Sequence, residues 1–173
     1  MALPTPSPAT NRQVPDHAIL DYYNKQVYLG NQFIYSQSSE TVAATSETPI
    51  ALISNPATSG KALFITYRAG SSLTASSSVI FRYYFNPTVT GAGTAKTPLN
   101  LRPANPNLSI ATVGKDPTTS SNGTFVSSFI SAALTSNSSI LMAVVDPGST
   151  FLLTATPSVN PTNIEHEIVW YEI

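Results

Sequence analysis

Residues 61–69 read Lys61-Ala62-Leu63-Phe64-Ile65-Thr66-Tyr67-Arg68-Ala69, and residues 79–85 read Val79-Ile80-Phe81-Arg82-Tyr83-Tyr84-Phe85. Both runs are dense in branched and aromatic side chains, which suit a pleated, half-buried surface. Neither shows the three-to-four-residue spacing of an amphipathic helix. Turn chemistry bounds them. Asn55-Pro56-Ala57-Thr58-Ser59-Gly60 precedes the first run. There Asn bonds its own backbone, Pro fixes one φ and Gly admits positive φ. Asn86-Pro87 closes the second run.

The same pattern repeats outward. Gln32 to Ser36, Glu40 to Thr45 and Pro49 to Ile53 read as short strands before the turn. Leu108 to Val113, Thr124 to Ile130, Ser139 to Val145 and Thr150 to Thr156 read as strands after it, the last two separated by Asp146-Pro147-Gly148. The C-terminal run puts Ile164, His166, Ile168 and Trp170 on one face and Glu165, Glu167, Val169 and Tyr171 on the other. Eight to ten short strands without intervening helical patterns predict an all-β chain. The expected architecture is a two-sheet antiparallel β-sandwich of jelly-roll type, with the terminal strand central in a sheet. A helix over Phe125 to Leu134 is the rival local reading, and the Ser and Thr crowding that segment disfavour it.

The chain has 173 residues, 8 Lys and Arg against 9 Asp and Glu, and no cysteine. That length suits one domain. Its charge is too low and too balanced for a broad nucleic-acid footprint, and the basic residues are scattered. Disulfides and thiolate chemistry are excluded. With 23 Ser, 21 Thr and 12 Asn, hydroxyls and amides do the surface work that Lys and Glu do elsewhere. No apolar stretch approaches the roughly 20 residues of a spanning helix, so no membrane insertion is expected. The N-terminus lacks the basic and apolar regions of a signal peptide.

Residues 1–15, with Pro4, Pro6, Pro8 and Pro15, predict a flexible arm, and residues 16–173 a single sandwich domain. Ala18 to Tyr23 suggest a helical turn or two, and Gln26 to Leu29 suit a strand closed by Gly30-Asn31 equally well. Residues 86–107 predict a long loop with at most a short strand near Thr97 to Leu101. Loops of that length are usually functional.

No catalytic, cofactor-binding or metal residue is expected, and the chain does not read as an enzyme. His166 points away from the face that Glu165 and Glu167 share, and His17 beside Asp16 has no third ligand near it. Asp116 and Asp146 precede prolines and read as turn residues. The Asn55 to Lys61 turn lacks the leading Gly of a phosphate loop and has Ala62 where Ser or Thr would be needed. Tyr67, Tyr83, Tyr84 and Tyr171 are the side chains able to stack on a sugar, although strand aromatics more often build cores and interfaces. Asn107, Asn122 and Asn137 match the glycosylation pattern, as chance allows in so Asn- and Ser-rich a chain.

From Leu52 to Ile65 the chain carries Ser54-Asn55-Pro56-Ala57-Thr58-Ser59-Gly60-Lys61 between two strands. With Gly30-Asn31-Gln32-Phe33 and the Thr41 to Thr48 run, this stretch resembles small phage or virus structural proteins, over residues 28–70. The resemblance implies a virion role: a capsid decoration, head fibre, spike or tail-associated subunit, commonly a homotrimer. The expected partners are further copies of the chain and other capsid proteins reached through the N-terminal arm, with a host glycan as a further candidate. The alternative expectation is a carbohydrate-binding or adhesin-like module.

Overall fold

The computed structural model describes residues 25–173. Residues 1–15, expected to form an arm, and the Ala18 to Tyr23 segment lie outside the described residues. Residues 25–29 are helical, not the strand that Gln26 to Leu29 allowed. Gly30, at φ 73°, ends the turn and the chain enters the first strand at once.

Thirteen strands follow among the described residues: β1 (Gln32–Val42), β2 (Thr48–Ser54), β3 (Leu63–Ser72), β4 (Val79–Phe85), β5 (Thr88–Gly91), β6 (Thr94–Lys96), β7 (Leu99–Asn100), β8 (Thr112–Lys115), β9 (Thr118–Ser121), β10 (Thr124–Ser131), β11 (Ser136–Val145), β12 (Thr150–Pro157) and β13 (Thr162–Glu172). One sheet has the order β11-β3-β13-β1-β7 and the other β10-β4-β12-β2-β8-β6, while β5 and β9 form a separate ribbon. All their ladders are antiparallel. Two large antiparallel sheets enclosing one apolar layer are the arrangement of a β-sandwich.

Strand alternation builds that layer. Val79, Phe81 and Tyr83 of β4 point inward and are fully buried, as are Phe151, Leu153 and Ala155 of β12. From the other sheet come Leu63 and Ile65 of β3, and Ile164, Ile168 and Trp170 of β13. Phe33 stacks on Trp170 with ring centroids 6.4 Å apart, and Phe81 on Phe129 at 5.1 Å. The strand β13 lies between β3 and β1, in the central position expected of it, with the alternation of its sequence setting its inward face.

The structure corrects several boundaries. Gln32 to Ser36 and Glu40 to Thr45 are not two strands. Gln32 to Ser36 and Glu40 to Val42 belong to one strand, β1, which continues through a bulge between Gln37 and Glu40 and ends before Ala43. The extra residue reverses the alternation, so Glu40 and Val42 join Phe33 and Tyr35 in the interior. The 86–107 stretch holds more than the one short strand expected near Thr97 to Leu101, which is β7: β5 and β6 precede it, and β9 lies between Gly114 and Gly123. β5, β6 and β9 are short and made almost entirely of small residues, so they carry no hydrophobic alternation by which to read them. The expected strand from Leu108 to Val113 begins only at Thr112, and Leu108 is 82% exposed. Phe125 to Ser131 are strand, not helix. No helix among the described residues is long and apolar enough to cross a membrane.

Candidate functional site

Three places in the sandwich gather chemistry. The first is an interior polar cluster. The β1 bulge turns Glu40 inward, where its Oε2 lies 3.1 Å from Nε2 of His166 on β13. Its Oε1 lies 3.1 Å from Nζ of Lys115 on β8, close enough for an ion pair but outside good hydrogen-bond alignment. Lys115 also meets Asp116 Oδ2 at 2.8 Å. Asp116 sits at φ 52°, the left-handed region that Asp tolerates in turns. Burial pushes the Glu40 carboxyl up, but the hydrogen bond with His166 and the nearby Asp116 and Lys115 side chains outweigh it and hold the group down at about 2. Burial and the facing Glu40 carboxylate push Asp116 up. Burial, reinforced by Glu40, also pushes the neighbouring Tyr35 hydroxyl up to about 12. This cluster ties β1, β13 and β8 together. The side chains of His166 and Glu40 are almost fully enclosed, and only Lys115 and Asp116 of the cluster reach solvent. Among the described residues no three His, Asp or Glu side chains converge as metal ligands.

The second place is the outer edge formed by β10 and β11. Each is the last strand of its sheet on the same side of the sandwich. On β11, Leu141, Ala143 and Val145 point inward while Ile140, Met142 and Val144 point out, Met142 79% and Ile140 73% exposed. Phe125 and Ile130 of β10 and Leu134 of the connection are exposed as well. Residues 117–145 contain no charged side chain. Bulges interrupt both strands, between Phe125 and Ser127 and between Ile140 and Ala143. Behind this edge Arg68 is buried, its guanidinium 4.7 Å from the Tyr83 ring centroid and 5.1 Å from that of Phe129. Its Nε donates to Ser139 Oγ and its Nη1 to Ser127 Oγ, so one side chain links β3, β10 and β11. Burial lowers its pKa, and the ring faces supply part of the lost solvation.

The third place is a depression of about 330 Å³ on the outer face of the β11-containing sheet. Tyr67, Ala69 and Ser71 of β3 alternate with inward Arg68 and Gly70, and Glu165 and Glu167 of β13 alternate with inward His166. Ser36, Gln37 and Ser38 of the β1 bulge form one rim, and Ser136 of β11 lies at the other side. Ser71 donates to Glu165 at 2.8 Å. The Glu167 carboxylate makes no ion pair or hydrogen bond among the described residues.

No family model and no curated protein matches this chain.

Of the four tyrosines singled out from the sequence, Tyr83 is core. Tyr171 stacks on Phe64 with centroids 5.0 Å apart. Tyr84 donates to Glu47 at 2.7 Å and meets Phe125 edge-on. Only Tyr67 of the four lines the outer depression. Asp146 is a turn residue, accepting from the Ser149 backbone at 2.9 Å through its carbonyl. Glu40 was not legible as an interior residue, because the bulge that turns it inward lies in the featureless Ser38-Ser39. The uncharged run 117–145 was available as a signal and marks the apolar edge.

Proposed function

We propose that the chain is a structural subunit of a virus-type particle, a surface or decoration protein that assembles as a homotrimer. The observation that carries this reading is the uncharged β10–β11 edge, where Ile140, Met142 and Val144 stand side by side in the open. Contiguous exposed apolar side chains of this kind mark interaction sites, and the centres of homo-oligomer interfaces are apolar and depleted in charge. The bulges blunt the edge against strand addition, so the contact is made side chain against side chain. A strip confined to one flank is covered when copies stand around an axis, and three is the number the resemblance implies.

The finer architecture we propose is a jelly roll. In its support, β1 pairs with β13, β2 with β12, β3 with β11 and β4 with β10. That is the pairing of one long antiparallel hairpin of eight strands. Rolling it up brings β13 beside β3 and β12 beside β4. On this reading β5 to β9 are an insertion between the fourth and fifth strands. Jelly rolls recur in capsid and lectin domains, which fits a particle role. Attachment through residues 1–15 belongs to the same proposal, and the chain would then reside in the virion.

Sedimentation velocity of the full chain at micromolar concentration is the test. A species of three times the chain mass is expected. A monomer overturns the assembly reading, and a dimer overturns the three-fold part.

A further inference from the structure

We infer that the depression on the outer face of the β11-containing sheet is a binding site for a neutral sugar. The depression adjoins the apolar strip on the same outer face, Tyr67 lying opposite Ile140 in the β3–β11 ladder, but its lining comes from β1, β13, β3 and β11 of one chain, so the inference does not rest on the oligomer reading. The shape comes from the sequence of β3. Outward positions run from Phe64 and Tyr67 to Ala69 and Ser71, bulky to small, so the floor drops away beside the tyrosine ring. The β1 bulge raises Ser36, Gln37 and Ser38 on the opposite rim. The space, about 330 Å³, is at the lower end of small-molecule sites.

Its chemistry matches a polyol. A sugar offers a C–H face for an aromatic ring, and hydroxyls that both donate and accept. Tyr67 supplies the ring. Glu167, without a partner among the described residues, and Glu165, with one oxygen taken by Ser71, supply acceptors. The hydroxyls of Ser36, Ser38 and Ser136 and the Gln37 amide supply groups of both kinds. Two carboxylates with no cation between them disfavour an acidic sugar such as N-acetylneuraminate.

Saturation-transfer NMR on the full chain tests this, with glucose, galactose, mannose, N-acetylglucosamine and N-acetylgalactosamine, and with N-acetylneuraminate and spermidine for comparison. At least one neutral sugar should show transfer, with a dissociation constant on the order of 1 mM for so few contacts. Glu167→Gln, which keeps shape and removes charge, should weaken it at least five-fold. Tyr67→Ala should abolish transfer to the sugar C–H protons, while Tyr28→Ala, remote from the depression, should leave it unchanged. Folding of each variant is checked by the fluorescence of the buried Trp170. No transfer from any neutral sugar, or transfer that survives both substitutions, overturns the inference. Binding of spermidine in place of sugars overturns it in favour of a cation site.

Discussion

Glu40 on β1 and His166 on β13 meet in the interior at 3.1 Å, although 126 residues separate them in the chain. The contact exists because a bulge reverses the alternation of β1 just before Glu40. Lys115 approaches the same carboxylate from the opposite sheet, so the cluster joins both layers of the sandwich.

Acid should weaken the fold through this cluster. The Glu40 carboxyl is held at about 2 in the folded chain, below its ordinary value of 4.5. Its contribution is therefore fully present above pH 4.5 and is lost as pH falls towards 2. Asp116 is raised, so its protonation on acidification favours the folded chain and offsets part of the loss. Urea midpoints measured between pH 7 and pH 2.5 should fall, and Glu40→Gln should flatten the acid limb. An unchanged limb in that variant would assign acid sensitivity to other carboxylates.

Alkali should act through different groups. Tyr35 is raised to about 12, and Lys115 is raised by its bonds to Asp116 and Glu40. Each raised group stabilises the fold below its unfolded value and loses that contribution as pH rises through the folded one. Stability should decline above about pH 10. Tyr35→Phe should make the decline shallower, read from thermal midpoints at pH 9, 10 and 11.

Glu172 fastens the loop before β8. Its carboxylate accepts from Ser109 Oγ at 2.5 Å, from the Ile110 amide at 3.1 Å and from Trp170 Nε1 at 3.3 Å. Glu172→Ala leaves the buried Trp170 donor and two half-buried donors without their partner and should cost about 2–3 kcal/mol. Hydrogen exchange should locate the loosening to residues 105–112, with a shift in Trp170 emission. Protection there that matches the parent chain would contradict this role.

Gly70 is required by its neighbour. A Cβ at that position would stand 2.7 Å from the Phe81 ring, in the packed interior. Gly70→Ala should cost about 1–3 kcal/mol by overpacking, and adding Phe81→Leu should recover part of it. Denaturant titration of the two variants decides the point, since additive losses would show that the ring is not the obstacle.

The apolar edge should be separable from folding. Ile140 and Met142 point outward, so Ile140→Lys with Met142→Lys should change the folding free energy by less than about 1 kcal/mol. The same pair should convert the oligomer to monomer at micromolar concentration by sedimentation. An oligomer that persists would move the interface elsewhere.

The order of the larger strands was readable because side-chain alternation is local. Val79 to Phe85 shows its buried face in seven residues, and Ile164 to Trp170 does the same. The short strands β5, β6 and β9 were not readable, since Thr, Ala and Gly carry little burial and their pairing partners alone hold them in place. Bulges were hidden for a related reason. A ladder reveals an extra residue only against its partner, and Ser38-Ser39 look the same on either face.

The sequence by itself determined that this is a low-charge chain of short strands with an apolar inner face, because composition and period-two alternation require nothing distant. Tertiary structure decided which side chains meet. It paired Glu40 with His166, set Arg68 against two rings, sent Tyr83 inward and left Tyr67 beside two glutamates. Those outcomes depend on strand order and register, and register is set by contacts across the whole sheet, beyond the reach of any one segment.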